Sequence, residues 1–88
     1  MAHQVPWNKI ILEEFIQLAE LTEQEEWVMR TRVAGWSRTK QARELHISVE
    51  TLDRIIRLLK RKYDNVQPYS PLLPPRKYSA KETWMDTH

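Results

Sequence analysis

The chain has 88 residues, 41% hydrophobic and 30% charged, with 14 Lys and Arg against 12 Asp and Glu for a net charge of +2. A chain this short forms one small domain with tails and buries only about 60–65% of its unfolded surface, so its stability is modest or supplemented by a partner. Cys is absent and the three His stand far apart at positions 3, 46 and 88, which argues against disulfides and metal sites.

No apolar run approaches the roughly 18 residues of a membrane span, and no signal-peptide pattern opens the chain. A soluble cytoplasmic protein with no cofactor is expected. The charge is unevenly spread. Residues 1–29 carry Lys9 against six Glu, a net of −5, whereas residues 30–62 carry ten Arg or Lys against Glu44, Glu50 and Asp53, a net of +7. The last 26 residues balance at three and three.

Residues 1–6 read as a loose arm. Asn8 can cap a helix over residues 9–20, with Trp7 placed to staple against Leu12. Ile11, Leu12, Phe15, Ile16, Leu18 and Ala19 share its core face, and Glu13, Gln17 and Glu20 the opposite one. Thr22 and Glu25 have the spacing of a capping box, which starts a second helix reaching to about Ala34. Trp27, Val28, Thr31 and Ala34 form its expected inner face. Gly35, the single Gly, stands where a left-handed stop is needed.

Residues 36–63 read as two helices joined too tightly to lie antiparallel. Ser37 caps the first, through Leu45, and Ser48 caps the second, from Val49 to about Tyr63. Only His46 and Ile47 lie between them, and small Ala42 permits a close crossing, a combination that marks a helix-turn-helix. On the second helix Leu52, Ile55, Ile56, Leu59 and Tyr63 gather on one side and Glu50, Arg54, Arg57 and Arg61 on the other. A charged stripe is by default a solvated face. On the helix after such a turn it is also where a reading helix meets the major groove.

These residues resemble the LuxR-type helix-turn-helix and the promoter-reading C-terminal domain of bacterial sigma factors. Leu21 and Thr22 with Glu25, Gly35, Ser37, the run Ala42, Arg43, Glu44, Leu45, then Ile47, Ser48, Glu50, Thr51, Leu52 and Ile55 carry the likeness, over about half of the chain. Gln41 and Trp36 replace aliphatic residues of that pattern, and His46 replaces its turn Gly. The resemblance implies an all-α fold of about four helices and transcriptional DNA binding.

Ser37, Arg38 and Lys40 at a helix start suit phosphates. Val49, Glu50, Thr51, Asp53, Arg54 and Arg57 would face bases and backbone, with Lys60 and Arg61 continuing the basic surface. Arg30 and Arg32 are placed to add backbone contacts.

After Tyr63, Pro68, Pro71, Pro74 and Pro75 favour an extended segment, with Tyr69, Leu72 and Leu73 available to lie on the domain. Residues 71–76 match a PxxPxR ligand pattern that Pro-rich tails also match by accident. Ser79 and Glu82 form a second possible capping box before Trp84 and Met85, a packing or partner anchor. The fold is thus expected within residues 7–63, with residues 64–88 a Pro-rich linker and tail of which 65–88 are dispensable for folding.

Catalysis has no nucleophile–base arrangement or phosphate loop to stand on, so a non-enzyme is expected. The functional expectation is a DNA-binding regulator reading double-stranded DNA. The alternative is a protein-interaction module that binds RNA polymerase or a second copy through the acidic first helix and the tail.

Overall fold

A computed structural model describes residues 5–75. The N-terminal arm before Val5, Arg76 of the PxxPxR pattern, and the possible cap at Ser79 and Glu82 with Trp84 and Met85 lie outside the described residues. Four helices follow one another: α1 (Lys9–Leu18), α2 (Glu23–Val33), α3 (Arg38–Leu45) and α4 (Val49–Val66), with a 3-10 turn at Gln67–Tyr69. The described residues adopt the expected all-α helix-turn-helix architecture.

Each helix starts on the cap its sequence offers. Asn8 Oδ1 accepts from Ile11 N at 2.9 Å, Thr22 and Glu25 form the reciprocal capping box, and Ser37 and Ser48 accept from Lys40 N and Thr51 N. The first three helices stop on a left-handed residue, at Glu20 (φ 53), Gly35 (φ 100) and His46 (φ 60). In each case the next amide reaches back five residues, Leu21 to Ile16 O, Trp36 to Thr31 O and Ile47 to Ala42 O, which satisfies a carbonyl the helix leaves orphaned. Only Gly35 announces this by its residue type. Glu20 is why α1 ends at Leu18 and not at residue 20.

α2 lies against α1, α3 and α4, so it has more than one inner side. Its buried residues are Glu25, Val28, Met29 and Arg32, whereas Ala34, expected inside, is exposed. Leu18, expected on the core face of α1, is also partly exposed, because it stands at the edge of the face that Ile11, Leu12, Phe15 and Ile16 bury. Gln41 is fully buried and donates through Nε2 to Val28 O at 3.0 Å and to Thr31 Oγ1 at 2.7 Å, tying α3 to α2 where an aliphatic residue would only pack.

The core centres on Phe15, Val28, Met29, Leu52, Leu59 and Tyr63. Trp7, Phe15 and Tyr63 bring their ring centroids within 5.3–5.8 Å of one another, joining the chain before α1, α1 itself and α4. Tilted and edge-on aromatic pairs of this kind add about 0.5–1.5 kcal/mol beyond the area they bury.

The C-terminal boundary falls later than the sequence suggested. α4 runs on to Val66, and Pro68, with no N–H to continue the helical ladder, sits in the 3-10 turn that follows. Residues 67–75 then fold back as a strap instead of extending away. Leu73 is only 2% exposed, Gln67 Nε2 donates to Leu73 O, Tyr63 Oη donates to Pro74 O, and Ser70 Oγ donates to Glu14 at 2.6 Å. Tyr69 and Leu72 stay exposed. The tail before residue 76 therefore belongs to the core, because the buried Tyr63 hydroxyl and the apolar surface around it need cover that the four helices do not supply.

A chain ending at Asp64 should lose about 1.5–3 kcal/mol from Leu73 burial alone. Urea melts of the two lengths check this, and equal midpoints would return the strap to the status of a tail. His46→Gly should be neutral or stabilising by up to about 1 kcal/mol, since Gly adopts φ near 60 without the steric cost a side chain meets there. A destabilised variant would show that the imidazole makes a contribution larger than its strain.

Candidate nucleic-acid interface

The turn at His46 sets α3 and α4 on the surface with little slack. Because Ile47 N is bonded back to Ala42 O, the chain leaves α3 in one direction and enters α4 at Ser48. Ser48 Oγ also donates to Thr51 Oγ1 at 2.9 Å, so the first turn of α4 is held by side chain as well as backbone.

α4 has the most strongly segregated faces of the four helices. Leu52, Leu59 and Tyr63 are fully buried, and Glu50, Arg54, Arg57 and Arg61 are all exposed. Their spacing of four, three and four residues keeps them on one stripe along the outer side. Lys60 is half-buried at its edge, and Ser37 and Lys40 are exposed at the start of α3. Lys40 Nζ stands 4.1 Å from the centroid of the Trp36 ring, which itself meets Trp27 edge-on, so this cation is held by an aromatic face.

Other candidates are occupied differently. Val49 is half-buried and packs against the core, and the Thr51 hydroxyl is engaged by Ser48. Arg38 Nη1 donates to Asp53 Oδ1 at 2.7 Å, linking the first residue of α3 to the second turn of α4. Arg30 and Arg32 turn away from the role expected of them. Arg30 is clamped by Glu13 on α1 and Glu26 on its own helix, and Arg32 is buried with Nη1 donating to Trp36 O. The Arg30 hydrogen bonds to Glu13 and Glu26 raise the guanidinium further above its ordinary value, and the same contact holds the Glu13 carboxyl below the usual range.

One pair with a large effect on how α4 is held escaped the sequence reading. Lys62 Nζ lies 2.8 and 2.9 Å from the two oxygens of Glu25, which is only 7% exposed. Glu25 thus serves twice, in the capping box of α2 and as the anchor of α4. Burial pushes its carboxyl up, but the bonds from Lys62 and Thr22 outweigh this and leave it below its ordinary value. The separation of 37 residues between the partners explains why no local pattern announces them.

Among the described residues no group of three His, Cys, Asp or Glu could hold a metal ion, and no helix is long and apolar enough to cross a membrane. No family model, curated protein or solved structure matches the chain.

Because the folded Glu25 carboxyl lies below its unfolded value, the stability it supplies is complete above about pH 4.5 and is lost as pH falls through the folded value. Lys62→Met removes the partner but leaves the burial, so it should cost about 1–3 kcal/mol at pH 7. The deficit should shrink toward pH 4, where the unpaired carboxyl can protonate. Denaturant melts of both proteins at the two pH values measure this, and a deficit independent of pH would show that Lys62 acts through its aliphatic stem.

Proposed function

We propose that this protein is a DNA-binding transcriptional regulator that lays α4 in the major groove of double-stranded DNA. The observation that carries this reading is the exposed stripe of Glu50, Arg54, Arg57 and Arg61 on a helix whose opposite side is buried and whose entry is fixed by a two-residue turn. A helix is the right width for the major groove, and in this architecture the N-terminal part of the second helix meets base edges while the rest follows the backbone. Glu50 and Arg54 accordingly face bases, and Arg57 and Arg61 face phosphates. Lys40, on the Trp36 ring at the start of α3, adds a further phosphate contact. The reading is of a binding protein acting in the cytoplasm, with no catalytic step.

The alternative is a protein-interaction module docking on RNA polymerase or a second copy. Ile10 on α1 and Tyr69 in the strap favour it, at 66% and 81% exposed. Ionic strength separates the two, because phosphate contacts release counterions and an apolar interface does not.

Arg57→Ala and Arg61→Ala should each weaken binding to every duplex and lower the log–log salt slope by about 0.9 for each phosphate contact removed. Glu50→Ala should instead relax base preference while holding or raising nonspecific affinity, since a carboxylate can accept from cytosine N4 and is repelled by phosphates. Selection from randomised duplexes tests the second point, and the same consensus from both proteins would remove Glu50 from readout. Unaltered slopes in both Arg variants, together with no enriched site, would overturn DNA binding through α4.

A further inference from the structure

Arg38 and Asp53 stand on the side of the molecule that would meet DNA, and each by itself has an evident effect on it. A guanidinium at the start of a helix attracts phosphate, and a carboxylate beside the reading stripe repels it. The structure joins them at 2.7 Å, with the side chain of Arg38 53% exposed and that of Asp53 31% exposed. Asp53 lies on the flank of α4 toward α3, between the outer stripe and the buried face, one helical turn before Arg57 and two before Lys60. Neither of those cations forms an ion pair with it, nor does Arg54 beside it, so Arg38 is its partner.

We propose that Asp53 is a specificity-determining residue, which withholds Arg38 from the DNA backbone by pairing with it across α3 and α4. The inference rests on the reading of α4 as the DNA-facing helix. Its physical basis is the charge balance of the exchange. For Arg38 to take a phosphate it must leave Asp53, and this uncovers a carboxylate at the same surface, a few ångströms from the polyanion. The attraction gained by one group is offset by the repulsion restored to the other. The closed pair contributes almost no net charge, so it adds nothing to the counterion release that drives binding to any sequence. Keeping that indifferent part of the affinity low leaves the discrimination to groups that meet base edges, which is how a repulsive element raises specificity without making a contact of its own.

The pairing also corrects the simple count of basic residues. A reading from sequence credits Arg38 with a phosphate and Asp53 with a base or backbone contact, whereas the pair credits neither.

Four variants bound to a nonspecific duplex, with affinity measured across a salt series, test this. Asp53→Asn should release Arg38 and steepen the log–log slope by about 0.9, so that its affinity falls about 3.5-fold more than that of the wild type between 50 and 200 mM salt. Arg38→Ala alone uncovers the Asp53 carboxylate and should lower the slope, and Arg38→Ala combined with Asp53→Asn should return it to that of the wild type. Glu44→Gln, which removes an exposed acid of α3 that forms no ion pair among the described residues, controls for the loss of one negative charge and should leave the slope unchanged. A double variant with a slope below that of the wild type would mean that Arg38 already holds a phosphate, and equal slopes in Asp53→Asn and Glu44→Gln would mean that only net charge matters. Either result overturns the role of Asp53. If Asp53→Asn fails to fold, Asp53→Ser takes its place in both the single and the double variant. Wild-type protein that shows no salt-dependent binding to any duplex would instead overturn the DNA-binding reading itself.

Discussion

The orientation of α4 depends on Tyr63. Its ring packs edge-on against both Trp7 and Phe15, and its hydroxyl donates to the carbonyl of Pro74 in the strap. A buried phenol is stable only when its O–H has a partner, so the ring position and the course of the strap are a single requirement. A slip of one residue along α4 would turn it by about 100° and carry the Arg stripe toward the core. The far end of the helix, next to α1, thus fixes which side of its first turn faces out.

Electrostatics completes what packing begins. Of the ten basic residues in 30–62, Arg30 and Lys62 are paired with acids of the first half of the chain, Arg38 is paired with Asp53, and Arg32 is buried. The remainder, Lys40, Arg43, Arg54, Arg57, Lys60 and Arg61, lie on α3 and α4. The acidic first half therefore does more than balance the total charge. Glu13, Glu25 and Glu26 draw basic side chains of α2 and α4 into contacts within the fold. The Glu25 contact is the most consequential, since it is nearly buried and ties the side of α4 to α2. Exposed pairs such as Arg30 with Glu13 contribute little to stability and matter more for where positive charge does not appear.

The strap and the first residues described are the least regular parts of the structure, yet they close it. Val5 and Leu73 are both buried, and both belong to segments that read from sequence as tails. In a domain of this size the four helices cannot cover their own central aromatics, and irregular chain does the remaining work.

Helix existence, starts and type were legible in the sequence because caps are local: Asn8, Thr22 with Glu25, Ser37 and Ser48 each satisfy an amide three residues away. The two-residue turn, the left-handed Gly35 and the exposed stripe of α4 followed from the same short range. The stop at Glu20 was hidden, since nothing in a Glu side chain favours φ near 53, and what rewards it is the Leu21 amide bonded back to Ile16 O and the packing of Leu21 on the core. Burial of Met29 and Arg32, the loss of Arg30 from the candidate interface, and the pairs Arg38 with Asp53 and Glu25 with Lys62 were decided by tertiary structure alone. Periodicity assigns a residue to a face of its own helix, but which neighbour that face meets, and whether a charge finds its partner there, depends on groups brought together from 15 to 37 residues away.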